Sequence, residues 1–339
     1  MCISLLTIIE IGDLMTGRQE DNIRYLELIE NAVQYESQYV KGFVNYLSSM
    51  AIKSRYSYIT KVIKFLKEIN KKETDLKYID FLSYISNIQY TENGEETTPS
   101  YRITVYAALK KFSKFLFISK VIPENYMENI EKPKSGELQK TIAKRENAYL
   151  TESELQEYVY NVNNGITTNN HTPQGRWRNR DKAIISIFLT TGIRCSALMK
   201  LDISDIDIEK RTLLVTDKGD KVSSYYMSDD TISIVEKWMD DRSKMFIDGS
   251  ALFVTKYRKR MTENSISDVT KKYAFTIKGK NISPHKLRAT YGTMLYNKTK
   301  DLYFVQKCMK HSSPKTTEIY IRGEGKENAE ASEIMSKLL

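Results

Sequence analysis

RTLLVTDKGDKVSSYYMS, residues 211–228, alternates apolar and polar side chains on either side of a four-residue run, KGDK, at positions 218–221. The pattern predicts two short strands joined by a tight turn, with KGDK at its tip. It stands apart, because the segments around it carry apolar residues at spacings of three and four, the period of a helix. The fold class that follows is mainly α with a small β-sheet.

Upstream, KAIISIFLTTGI (182–193) reads as a buried helix that ends at Gly192. NNGITTNNHTPQGRWRNRD (163–181) reads as a long polar loop in which His171 is solvent-exposed. Arg176 and Arg178 flank Trp177 there and are candidate DNA-backbone contacts, although such clusters are more often plain surface. YLTESELQEYV (149–159) holds a capping box, Thr151 with Glu154, that predicts a helix start and the start of a domain. Before it, EKPKSGELQKTIAKREN (131–147) is polar and charged and carries Pro133 and Gly136, the composition of a linker.

Residues 22–130 predict four or five helices. In SRYSYITKVIKFLKEINKK (54–72), Tyr58, Val62, Phe65, Leu66 and Ile69 form an apolar stripe. In SYRITVYAALKKFSKFLFISK (100–120), Val105, Ala108, Leu109, Phe112, Phe115 and Leu116 do the same. Lys61, Lys64, Lys110 and Lys114 lie off these stripes. A solvated face is the ordinary explanation for any one of them; their recurrence on two helices makes them candidate phosphate contacts. TENGEETTPS (91–100) is a turn-rich loop between the helices.

The composition of the 339-residue chain agrees with a globular protein: 41% hydrophobic and 28% charged residues, enough for a core and a charged surface. The net charge of +9 favours a polyanionic partner, nucleic acid before membrane. Three distant cysteines, in no paired spacing, suit reduced thiols rather than a disulfide framework or a zinc site. No run of about 18 apolar residues predicts a membrane span. The start, MCISLLTIIEIGDLM, lacks a basic leader region and contains Glu10 and Asp13, so a secretory signal is not expected. Met15 is the preferred start, with residues 1–14 an upstream extension.

Six polar residues complete the picture: Arg194, Lys218, His285, Arg288, His311 and Tyr320. In SPHKLRATYGTML (283–295), Ser283 caps a helix that Pro284 begins, and His285 and Arg288 share a face at i and i+3. H-x-x-R alone is a weak signal. In CMKHSSPKTTEIYIR (308–322), His311 precedes Tyr320 by nine residues, two and a half helical turns, so the two cannot share one helix face. Pro314 predicts a turn and a new short helix between them, which lets Tyr320 swing back toward His311.

The order of these motifs resembles the tyrosine recombinase (phage integrase) family: an arginine in TTGIR, a lysine at a hairpin tip, H-x-x-R, H-S-S, then a tyrosine. The resemblance covers most of residues 149–325, and the helical half resembles the family's core-binding domain, ending in SKVIPENYMENIEKPK. It implies the following organisation: an extension (1–20), a helical core-binding domain (21–132), a linker (133–148), a catalytic domain (149–325) and a C-terminal helix (326–339). The implied activity is that of a site-specific recombinase that cuts and rejoins DNA through a 3'-phosphotyrosine and a Holliday junction; integration or excision of a mobile element is the preferred role, and resolution of chromosome dimers stays open beside it. Tyr320 is the implied nucleophile. Arg194 and Arg288 are the implied clamps on the phosphate, Lys218 (with Lys221 second) the general acid, and His285 and His311 its assistants. A type IB-like topoisomerase and a DNA-binding protein that has lost catalysis are the competing functions.

No cofactor and no metal are expected. The expected partners are double-stranded recombination sites, three further copies of the chain in a tetramer linked by exchange of the tail helix, and accessory DNA-bending factors; no membrane is expected. The location implied is the cytoplasm, at the nucleoid. Three positions depart from the family pattern. Ala197 stands where an acid is usual, which leaves open what orients Arg194 or Lys218. Ala289 replaces a histidine. Lys310 replaces a glycine, at a cost of about 1 kcal/mol if its backbone is left-handed.

Overall fold

A computed structural model describes residues 16–91, 93–133, 149–167, 176–216, 222–247, 249–277 and 280–310. The chain divides into two compact units, Gln19–Ile142 and Met1–Arg18 with Ala143–Leu339.

The first unit is a bundle of five helices: α1 (Gly17–Val33, which begins just before the unit), α2 (Gln38–Tyr46), α3 (Ile52–Ile69), α4 (Tyr78–Asn87) and α5 (Pro99–Ile118). Packing follows the apolar stripes. Val62, Phe65 and Leu66 of α3 and Val105, Ala108, Leu109, Phe112 and Leu116 of α5 are buried. Aromatic rings form the centre. Phe43 of α2 meets Phe112 edge-on at 5.1 Å, and Phe65 meets Phe81 of α4 at 4.8 Å. Such pairs are worth about 0.5–1.5 kcal/mol beyond their buried area. Thr98 caps α5 through the Tyr101 amide, with Pro99 in the first turn. The loop before it turns at Gly94 (φ +74°) and closes with a bridge between Tyr90 and Glu96.

The second unit contains α6 (Glu152–Asn164), α7 (Arg176–Thr191), α8 (Cys195–Met199), β1 (Ile206–Asp207), β2 (Thr212–Thr216), β3 (Val222–Tyr226), α9 (Asp229–Ser243), α10 (Glu263–Lys272), α11 (Pro284–Thr299) and α12 (Leu302–Cys308). The fold is mainly helical with a small three-stranded antiparallel sheet, in the order β1-β2-β3. The hairpin pairs Thr216 with Val222 and Thr212 with Tyr226. Leu213, Val215 and Tyr225 are buried on one face, while Leu214 and Tyr226 are exposed on the other. The KGDK tip lies outside the described residues.

Helix α7 is the spine of this unit. Ala183, Ile184, Ile185, Ile187 and Phe188 are all buried, so apolar neighbours surround the helix instead of flanking one side. It packs on α9, α11, α10 and α6. The helix starts at Arg176, which corrects the expectation of a loop as far as Asp181. Its polar first turns are absorbed by the fold. Trp177 stacks toward Trp238 (6.3 Å), and Arg180 lies 4.9 Å over the Trp177 ring. Arg180 also donates to the Val254 carbonyl (2.9 Å) and, through Nε (3.0 Å) and Nη2 (2.8 Å), to one oxygen of Asp181.

Asp181 is fully buried. Its second oxygen accepts from the Tyr273 hydroxyl (3.0 Å) and pairs with Lys272 at the end of α10. Burial, then this carboxylate, push the Tyr273 hydroxyl far above its usual range. One anion thus ties α7 to α10, and removing it would leave the buried Arg180 and the half-buried Lys272 without their shared carboxylate. Replacing Asp181 with Asn is expected to cost about 3–5 kcal/mol, read from denaturant unfolding.

Candidate active site

The TTGIR turn begins where α7 ends. Gly192 has φ +62°, and its amide donates to the Phe188 carbonyl at 3.0 Å, a left-handed helix terminus. The conformation is one reason for glycine; crowding is another. A Cβ here would sit 2.4 Å from the Tyr291 ring. The turn delivers Arg194 as the residue that precedes the first turn of α8.

Arg288 comes from α11, which is capped as its sequence predicts. Ser283 accepts from the Lys286 amide and Pro284 occupies the first turn. The Arg288 side chain is buried, and its guanidinium donates to the Gly192 carbonyl and, at 2.6 Å, to the Met309 carbonyl. Arg194 donates to the next carbonyl, that of Lys310, at 3.3 Å. Two arginines from distant segments therefore hold consecutive carbonyls at the end of α12, directly before His311. Ala197, in the position of the usual acid, is buried in α8. The Lys310 backbone, not a carboxylate at 197, receives this Arg194 bond. Lys310 is left-handed (φ +53°), and its ammonium lies 5.7 Å from the Tyr225 ring centroid, which offsets part of the conformational cost.

His285 stands one turn before Arg288, on the same face, with an exposed edge. Partial burial, then the charge of Arg288, lower its pKa from 6.5. The imidazole is therefore mostly neutral at pH 7, able to accept a proton. Lys218, His311 and Tyr320 lie outside the described residues, as does the segment 326–339 expected to form a C-terminal helix.

Tyr291 is a residue of this site that the sequence reading did not single out. It lies three residues beyond Arg288 on α11, and its ring fills the space that the missing Gly192 side chain leaves open. Its hydroxyl bonds to Cys308, and burial followed by this neighbour pushes its pKa up to about 12. Tyr291 thus wedges between the TTGIR turn and the end of α12, the two segments that Arg288 links. Its spacing from Arg288 was the available signal; nothing in the chain order marks it as facing Gly192.

The candidate DNA contacts are more ordinary. Lys61 sits 5.6 Å over the Tyr101 ring and Lys110 5.8 Å over Tyr106. Lys64 pairs with Glu68 at 3.4 Å, and Lys114 is exposed. Arg178 donates to the Asn163 carbonyl in the last turn of α6, a helix-capping contact. The side chain of Arg176 is outside the described residues. Among the described residues, no group of three His, Cys, Asp or Glu side chains is placed to hold a metal ion, and no helix is long and apolar enough to cross a membrane.

Residues 149–327, more than half of the chain, match the phage integrase family. The tyrosine recombinase XerC of Caldanaerobacter subterraneus subsp. tengcongensis is 27% identical over 308 residues, covering 83% of this chain and 82% of that protein. The tyrosine recombinase XerS of Streptococcus thermophilus is 26% identical over 305 residues, covering 85% of each chain. A crystal structure of the XerH site-specific recombinase bound to its difH substrate before cleavage superposes with a TM-score of 0.66 at 18% identity, over 97% of this chain and 92% of that one. At that identity the superposition speaks for the fold alone.

Two measurements check the geometry. Gly192→Ala combines a left-handed alanine with overpacking against Tyr291 and is expected to cost about 2–5 kcal/mol, part of it recovered in Gly192→Ala/Tyr291→Ala. In NMR titration of the free protein, His285 is expected to titrate below 6.5, and Arg288→Gln should raise its midpoint only part of the way back, since packing is the larger cause. A midpoint above 6.5 in the wild type would refute the assignment.

Proposed function

Because the chain belongs to the phage integrase family, we propose that it is a site-specific DNA recombinase, a strand transferase that cleaves and rejoins DNA. The observation that carries the reading is the gathering of Arg194 and Arg288 onto the two carbonyls that lead into His311. Segments about a hundred residues apart converge on the short stretch from which the nucleophile follows.

The chemistry needs this arrangement. A phosphodiester is anionic, and attack on phosphorus concentrates charge on its nonbridging oxygens. A guanidinium remains protonated and donates in a planar fork, so Arg194 and Arg288 suit those oxygens. The Tyr320 oxygen attacks phosphorus while the bond to the 5'-oxygen breaks. A 3'-phosphotyrosine and a 5'-hydroxyl result. Lys218, on the β2–β3 hairpin, supplies the proton that the departing oxygen takes. His285, mostly neutral at pH 7, and His311 assist proton transfer or bind the phosphate. The reverse attack by a 5'-hydroxyl from another duplex restores a phosphodiester. The ester bond energy is conserved throughout, so no nucleotide hydrolysis is needed to rejoin the strand.

In this reading the helical unit is the core-binding domain, with Lys61, Lys64, Lys110 and Lys114 facing the duplex. The partners are paired recombination sites, and the tail helix links four protomers into one assembly. Integration or excision of a mobile element is the proposed role. A recombinase of this kind works at the nucleoid.

A nicked suicide duplex that carries the recombination site tests the proposal. Wild type is expected to form a covalent adduct whose protein is attached at the 3'-phosphate, and Tyr320→Phe none. A wild type that binds the duplex without any adduct would leave a binding protein in place of an enzyme. Relaxation of any supercoiled plasmid by monomers, without paired sites, would favour a topoisomerase.

A further inference from the structure

Between α9 and α10 the chain makes a small hairpin, and its tip reads Lys256-Tyr257-Arg258-Lys259. Val254 bridges Arg260. The Thr255 amide donates to the Lys259 carbonyl (2.8 Å), and the Arg258 amide to the Thr255 carbonyl (2.9 Å). Arg258 is held at φ +63°, a conformation that favours glycine, and its guanidinium anchors the turn to the Phe246 carbonyl at 3.2 Å. The base is equally built. Arg260 donates to the Leu201 carbonyl (3.0 Å) and pairs with buried Asp202 at 2.5 Å. The tip is therefore a defined turn on a rigid stem.

All four tip residues are exposed, Tyr257 at 73% and the neighbouring Phe246 at 89%. Among the described residues no carboxylate pairs with Lys256, Arg258 or Lys259. Lys256 lies 5.0 Å from the Tyr257 ring centroid. A solvated basic turn would need neither an outward aromatic ring nor a left-handed arginine.

The location narrows the partner. Beyond the hairpin, Thr262 caps α10, and the Cys195 thiol lies 4.0 Å from the Glu263 carbonyl. Cys195 is the neighbour of Arg194. Glu263 is six residue steps from Tyr257, a span of at most about 22 Å, or about six base pairs of duplex.

We infer that the Lys256–Lys259 hairpin tip grips the DNA phosphate backbone beside the cleavage position, with Lys256 and Lys259 on phosphates and Tyr257 against the sugar edge. The inference rests on the proposed reading of the chain as a DNA strand transferase. The tip adds affinity without reading sequence, because phosphate contacts position a protein and carry no base information.

Salt-dependent binding of a fluorescent duplex of arbitrary sequence tests it. Each phosphate contact contributes about 0.9 to the slope of log affinity against log salt. Lys256→Gln/Lys259→Gln is expected to flatten the slope by about 1.8. Between 50 and 200 mM salt, wild type should lose about tenfold more affinity than the variant. Tyr257→Ala should weaken binding with the slope unchanged. Lys210→Gln/Lys244→Gln, which removes two exposed lysines already paired with Asp207 and Asp240, is the control and should leave the slope as it is. Circular dichroism verifies that each variant folds. If wild type binds the duplex with its full slope and the hairpin variant matches it, or the control flattens the slope equally, the hairpin assignment is overturned and the enzyme reading stands. If wild type binds no duplex, both fall.

Discussion

The Arg288 guanidinium holds the architecture of the second unit together at its most demanding point. It is a permanent charge buried in the fold, and such a charge is tolerable only where the protein supplies oriented acceptors. Here the acceptors are main-chain carbonyls, Gly192 from the turn after α7 and Met309 from the end of α12. These carbonyls fix where the guanidinium points. After packing, its charge keeps His285 below its ordinary pKa.

Three constraints follow from that placement. The Gly192 carbonyl must point at α11, which the left-handed turn achieves. Tyr291 then occupies the volume beside it and bonds to Cys308, so the turn and α12 are spaced by a ring. Arg194, two residues beyond the glycine, arrives at the Lys310 carbonyl. The loss of the usual acid at Ala197 is thus compatible with an ordered Arg194. Lys310 accepts a left-handed backbone to present its carbonyl, and the Tyr225 ring near its ammonium softens the cost.

Beneath the site, α7 carries a second buried electrostatic knot, with Asp181 between Arg180, Lys272 and Tyr273. Here the balance is reversed: one anion is surrounded by cations and a hydroxyl. The knot locks α7 to α10, and α10 begins at Glu263, against the residue after Arg194. The unit therefore reaches the same arginine from two directions, through the α7 turn and through the α10 start.

Local pattern was enough for much of this protein. Period-two alternation marked the β2–β3 hairpin, period-3.6 stripes marked α3 and α5, and the Thr151–Glu154 box and Ser283–Pro284 pair marked helix starts, because each is a short-range property of neighbouring residues. The order of motifs from Arg194 to Tyr320 was enough to point to the family. Other features depend on chain segments a hundred residues apart. The polar start of α7 looked like loop because Trp177, Arg180 and Asp181 find their partners on α9, α10 and the Val254 carbonyl. Tyr291 looked like one tyrosine among 23 until Gly192 was placed against its ring. Sequence determines where the cationic side chains stand in the chain; tertiary packing decides which carbonyls aim them, since a buried guanidinium takes its direction from the acceptors around it.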